Sequence, residues 1–344
     1  MRICVLGAGS LGTIIGALIT KSGYEVDLVD TNCEHVEALN RSGARITGYL
    51  NEIIPVTAAL PEDTKGKYDL VILLTKQVYT DVALASIDHC LHGETVICTL
   101  QNGVPEMKVA ELVGVERTIA GVVGFGATWE GPGVSRLTSE WRSVQKYAFD
   151  IGEFDGSLTP RIEKVQQILS SVGHCEILPN IMGMKWTKLL MNATFSGMSV
   201  ALGCTFGEVM DDRRAMECLS KIADETIKVG HASGIEFVEM QGKDLSTLEL
   251  LEGEKLEDKM GLYLEVWTPH RDLKASMLQD LEKGRKTEVD YINGVVSNKG
   301  LEFGIPTPYN DMVVRLVKEA EESGKGAPAF NVNLEQFQNI TVSI

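Results

Sequence analysis

Three glycines at fixed spacing carry the first chemistry in this chain. Gly7-Ala8-Gly9-Ser10-Leu11-Gly12 follows an apolar run over residues 2–6 and leads into a helix start of small and apolar residues. Gly7 permits a tight strand-to-helix turn, Gly9 lets the backbone approach a pyrophosphate, and Gly12 lets the helix pack closely on the strand. The free N–H groups at the helix N-terminus then face an anion. A second apolar run, residues 24–30, arrives at the spacing of a βαβ unit and ends in Asp30, which completes a dinucleotide fingerprint in its full context. A carboxylate there accepts hydrogen bonds from both ribose hydroxyls and repels a 2′-phosphate, so NAD is favoured, with NADP the alternative. Asp30 can also be read as a cap for a helix starting near His35.

Further polar groups stand where a doubly wound sheet binds ligands, at the carboxyl ends of its strands. Lys76 lies just past the apolar run 69–74, and Asn102-Gly103 just past 95–100. A solvated lysine and a turn are the alternatives, but position on the ligand edge favours function for each and more so for the two together. From Gly183, Lys185, Lys188, Asn192, Ser196 and Ser199 recur every three or four residues, whereas Trp186, Leu189, Leu190, Phe195 and Met198 fill the other faces. The spacing predicts a mostly buried helix with one narrow polar stripe, facing either solvent or a small oxygen-rich ligand. A third cluster runs from Ser276 to Asp280 and from Thr287 to Gly294. Thr287 with Asp290 resembles a capping box and puts Glu288 in a first helical turn, where it could merely complement the dipole.

The elements that must position these groups follow from periodicity. Residues 2–6, 25–29, 69–74, 95–100 and 118–123 read as strands of a mostly parallel sheet, with antiparallel edge additions near 134–138 and 145–151 and a helix over 160–172. Beyond residue 178 the pattern becomes helical. The expected organisation is α/β: a Rossmann-type domain over 1–178, an all-helical domain over 179–330 and a loose tail over 331–344. At 344 residues, 44% hydrophobic and 23% charged, the chain is long enough for two packed domains. A net charge of -16 argues against nucleic acid and anionic membranes as partners. Seven scattered cysteines read as reduced core residues, His89 and His92 as surface or packing groups, and no metal is expected. No run has membrane-spanning length, and a cytoplasmic enzyme is expected.

Read in order, the N-terminal turn, Lys76, Gln101-Asn102-Gly103, Lys185-Trp-Thr-Lys188-Leu-x-x-Asn192, Ser276-Met-Leu-Gln-Asp280 and Thr287-Glu288-Val-Asp-Tyr-Ile-Asn-Gly294 resemble the ketopantoate reductase (2-dehydropantoate 2-reductase) family over nearly the whole chain. The resemblance implies an active site between a Rossmann and a helical domain, and reduction of a 2-keto acid by NAD(P)H, ketopantoate to D-pantoate in pantothenate biosynthesis. It implies Lys188 as proton donor, Glu288 as its partner and a substrate contact, and Asn102 and Lys76 toward cofactor and substrate. Asn192, Ser196 and Ser276 would complete the substrate site. Hydride transfer to a ketone creates an alkoxide that a nearby ammonium can protonate and stabilise.

Three positions depart from the family's pattern: Ser196 and Leu273 stand where asparagines are common, and Phe206 where a polar residue is expected. These departures make room for a D-2-hydroxyacid dehydrogenase acting on bulkier 2-keto acids. A non-catalytic dinucleotide-binding regulator is a rival from another class, opposed by the presence of both Lys188 and Glu288. The apolar content of the helical domain is compatible with a homodimer.

Overall fold

The computed structural model describes residues 1–324 and 326–340, and the chain divides into two compact units, Met1–Met182 and Gly183 onward. The first unit carries twelve strands: β1 (Arg2–Leu6), β2 (Glu25–Val29), β3 (Ala44–Gly48), β4 (Glu52–Ile54), β5 (Thr57–Ala59), β6 (Leu70–Leu73), β7 (Val96–Thr99), β8 (Thr118–Val123), β9 (Ala127–Gly131), β10 (Val134–Leu137), β11 (Phe149–Gly152) and β12 (Cys175–Ile177). Its helices are α1 (Ser10–Lys21), α2 (Cys33–Ser42), α3 (Thr80–Ser86), α4 (Glu106–Val113), α5 (Trp141–Lys146) and α6 (Pro160–Leu169).

Eight strands form one sheet in the order β12-β11-β8-β7-β6-β1-β2-β5, in which every pairing is parallel except β8 with β11. The strand order reverses beside β1: the chain first winds outward through β2 and β5, then returns to lay β6 on the other side. Side chains alternate across β1, so Ile3 and Val5 join the core beneath α1 while Cys4 and Leu6 join Leu84 and Val109 on the opposite face. Burial on both faces is why β1, β6 and β7 read as largely apolar runs rather than as alternating ones.

A second, four-stranded sheet, β4-β3-β10-β9, packs on α1. Its presence explains why α1 is apolar nearly all round: Gly12 through Ile19 are all buried, between one sheet and the other. This sheet corrects the sequence expectation in two ways. Residues 134–137 belong to the small sheet, pairing in parallel with β3, and only 149–152 add an antiparallel strand to the main one. Residues 145 and 146, expected as extended, instead end the helix Trp141–Lys146.

The second unit is helical: α7 (Ile181–Met191), α8 (Gly197–Leu202), α9 (Phe206–Asp211), α10 (Arg213–Ala232), α11 (Leu256–Trp267), α12 (Ser276–Glu282), α13 (Asn293–Phe303), α14 (Pro308–Ser323) and α15 (Phe330–Gln338). The long α10 is the hub, against which α9, α11, α13, α14 and α15 pack. Asp212 caps it, accepting from Arg214 N at 2.8 Å and Ala215 N at 3.3 Å. The expected loose tail is instead largely α15, whose Leu334 and Phe337 are fully buried against the bundle; residues 341–344 lie outside the described residues. Thr287 and Asp290 form no capping box. Thr287 Oγ1 accepts from Val289 N within a single 3₁₀ turn, and α13 starts only at Asn293. Among the described residues, no helix is long and apolar enough to cross a membrane.

Candidate active site

In the first unit the sequence-predicted groups converge on the carboxyl edge of the sheet at its reversal point. The glycine turn hangs from the end of β2, through Gly7 N and Ala8 N donating to Val29 O at 2.8 and 3.2 Å. Gly7 has φ +94°, and a Cβ there would lie 2.6 Å from Thr75 N, so the turn rests directly on the backbone leaving β6. At Gly12 a Cβ would lie 2.1 Å from Gly7 O, which no side chain could tolerate. Gly9 is different: a Cβ there would meet nothing. The protein's own packing demands the first and third glycines, while the second leaves open space beside the helix N-terminus. That is the arrangement a pyrophosphate needs. Thr13 N is the first helical donor, to Gly9 O at 2.9 Å, so the amides of Ser10, Leu11 and Gly12 precede the intrahelical ladder and suit an anion.

Asp30 follows β2 directly. Its carboxylate accepts from Asn32 N at 3.0 Å, a tight local turn, and the cap of α2 is Asn32, which accepts from His35 N at 3.1 Å. The reading of Asp30 as that helix's cap is therefore corrected. Lys76 follows β6 and begins a 3₁₀ turn, Gln77–Tyr79. Gln77 Nε2 donates to the Asn102 carbonyl, which ties the ends of β6 and β7 together. Gln101 strengthens the tie, donating to Thr75 O at 2.8 Å and Thr80 Oγ1 at 3.0 Å and accepting from Thr99 Oγ1 at 3.1 Å. These two buried amides are what bring Lys76 and Asn102 to one edge. Gln101 stands in the quoted motif, but nothing in its spacing announced this role.

The second unit carries Lys188, Asn192, Ser196, Ser276 and Glu288. Lys188 is half-buried on α7, and Asn192 and Ser196 are half-buried on the segment that follows. That segment is not α-helical: Asn192–Ser196 forms a π turn between α7 and α8. One residue too many per turn breaks the regular stripe read from the sequence. Lys185 and Ser199, its two ends, are buried, and Ser199 turns inward to donate to Cys204 O at 2.6 Å while accepting from Ala275 N at 3.2 Å. This second bond sets the exposed Ser276 beside α8.

A buried polar chain meets the π turn. Asn293 Nδ2 donates to Ala193 O at 3.0 Å and to Asn310 Oδ1 at 2.9 Å; Asn310 Nδ2 donates to Glu225 Oε2 at 2.8 Å. Glu225 also accepts from the backbone N–H groups of Tyr309 and Asn310, both at 2.9 Å, at the start of α14. Burial pushes its carboxyl up to about 7, against hydrogen bonds that pull the other way. Glu288 is a buried carboxylate five residues ahead of Asn293. Phe206 packs against Phe195, a member of the π turn that is itself stacked on Trp267 at 4.7 Å, in an aromatic core.

Family models match both units. The ketopantoate reductase PanE/ApbA model covers residues 3–155 and its C-terminal counterpart residues 180–321. A 2-dehydropantoate 2-reductase of Pyrococcus horikoshii is 31% identical, over 95% of this chain and all of the relative. Among solved structures, a D-mandelate dehydrogenase with NADH and anilino(oxo)acetate aligns at TM-score 0.80 and 26% identity, covering 94% of this chain and 99% of that one. A 2-dehydropantoate 2-reductase of Geobacter metallireducens aligns at 0.78 and 25% identity, covering 93% and 100%. With both units matched over most of their length, the chain belongs to the ketopantoate reductase family of oxidoreductases.

Proposed function

We propose that this protein reduces a 2-keto acid with NADH, and that its substrate is ketopantoate, converted to D-pantoate. The observation that carries the reading is the open space at Gly9 in a turn whose other two glycines are held by protein contacts, in a chain of this family. The nicotinamide cofactor, when bound, supplies a hydride to the keto carbon. Lys188 then holds a proton on Nζ and passes it to the carbonyl oxygen, and its charge stabilises the alkoxide as it develops. Glu288 keeps that ammonium charged and oriented, as a buried carboxylate can when paired. Asn192, Ser196 and Ser276 offer amide and hydroxyl groups to the substrate's carboxylate and hydroxyl. Lys76 and Asn102 serve cofactor and substrate at the sheet edge. Asp30 favours NADH, since a 2′-phosphate would meet its charge.

Ser196 and the half-exposed Leu273 favour a second reading: a D-2-hydroxyacid dehydrogenase of the same family acting on bulkier 2-keto acids. Steady-state rates with NADH and NADPH over a panel of 2-keto acids separate the two. A preference for ketopantoate over acids lacking the 4-hydroxyl supports the first reading; equal rates support the second. In the same assay K188A loses about 10²- to 10⁴-fold in kcat while NADH binds within a few-fold of wild type. Unchanged turnover ends the assignment of Lys188.

A further inference from the structure

We propose that His35 is the positioning residue of the cofactor turn, and that through it the small sheet braces the dinucleotide site. His35 is buried on α2, outside the glycine motif. Its Nε2 lies 2.7 Å from Ala8 O, and Thr13 Oγ1 donates to the same oxygen at 2.7 Å, so both lone pairs of that carbonyl are taken. On the other side of the ring, Nδ1 accepts from Gly133 N at 2.9 Å. A backbone N–H can only donate, so Nδ1 is the bare nitrogen and Nε2 carries the proton. The imidazole is thus a directional link from the β9–β10 turn to the residue between the first two glycines. A second link runs beside it: Ser135 Oγ, buried on β10, donates to Ser10 O at 2.6 Å.

The consequence follows from peptide geometry. In a trans peptide the C=O and the next N–H point to opposite sides, so drawing Ala8 O into the protein turns Gly9 N–H outward. Gly9 is also the residue whose missing side chain leaves open space. His35 thereby holds a donor toward the position where an anionic diphosphate would lie, and does so before the ligand arrives. The hairpin closes tightly enough to act as an anchor: Gly133 has φ +73°, and a Cβ there would lie 3.1 Å from Ala38 Cβ on α2.

This inference rests on the reading that the turn binds NAD(P)H. It is tested by titrating NADH into the full-length protein, followed by fluorescence, alongside melting curves and steady-state kinetics. H35A raises the NADH Kd about tenfold. H35Q, which can still donate to Ala8 O, stays within about threefold of wild type; H35N, which can only replace the Gly133 acceptor, behaves like H35A. S135A weakens NADH by a smaller factor. The effect falls on the NADH Kd rather than on the KM of the keto acid at saturating NADH. If H35A does not fold, the contrast between H35Q and H35N decides. Equal affinities for H35Q and H35N, or an H35A protein that binds NADH as wild type does, overturn the inference alone. A wild-type protein that binds neither NADH nor NADPH overturns the cofactor reading and this inference with it.

Discussion

Two glycines of one motif stand in opposite surroundings, and substitution can tell them apart. At Gly12 an added methyl would press on the Gly7 carbonyl, and overpacking of this kind costs about 1–3 kcal/mol or more. At Gly9 it would meet no protein atom. G12A is therefore expected to lower the melting temperature clearly. G9A should leave the melting temperature near wild type while raising the NADH Kd about tenfold or more, because its methyl would stand in the open space where the proposed function puts the pyrophosphate. Calorimetry and a binding titration on the two variants check this. A G9A protein as destabilised as G12A would mean that the second glycine serves packing after all.

Between residue and fold, the π turn is the element that carries Asn192 and Ser196. A π turn leaves backbone groups outside the regular ladder, and the Ala193 carbonyl accepts from the side chain of Asn293. Asn293 is held by Asn310, and Asn310 by Glu225, so four elements of the bundle meet in one buried chain. Burial holds the Glu225 carboxyl near 7, above its ordinary 4.5. The folded state then binds the proton more tightly than the unfolded chain does. The associated stability is fully present below about pH 4.5 and is lost as pH rises through 7, up to about 3 kcal/mol. E225Q, which imitates the protonated form, should lack this loss. Urea denaturation of both proteins at several pH values between 4.5 and 8 measures the difference; parallel pH profiles would remove Glu225 from the account.

At the scale of the whole molecule, burial sorts chemically identical groups into inert and reactive ones. Of the seven cysteines, six are buried and only Cys33 is exposed, at the start of α2. Burial holds the thiols of Cys4 and Cys175 well above their ordinary range and pushes those of Cys204 and Cys218 up to about 12. A thiol reagent in excess should therefore modify one cysteine per native chain quickly and all seven after unfolding. Mass spectrometry of the native adduct should place the label at Cys33. Fast modification of any other cysteine would show that the packing around it opens readily.

The sequence alone determined the parts whose signal is local. Strands buried on both faces leave largely apolar runs, and β1, β2 and β8 are legible to the residue. The glycine turn, Asp30 at the end of β2 and the polar residues past β6 and β7 follow from spacing along a known topology. Tertiary structure decided what depends on partners distant in the chain. Strands β3, β4 and β5 are short, three to five residues each, and partly polar; β3 and β4 exist because the far face of α1 needs cover. The π turn takes its shape with a carbonyl bonded across 100 residues to Asn293, a partner no helical period can announce. The same holds for Ser199, which belongs to the polar stripe by spacing but is drawn inward by Cys204 and Ala275. It holds too for residues 330–338, weakly patterned by themselves and ordered as a helix by burying Leu334 and Phe337. Periodicity records which way a side chain faces along its own element; hydrogen bonds and burial between elements are settled only when the chain has closed on itself.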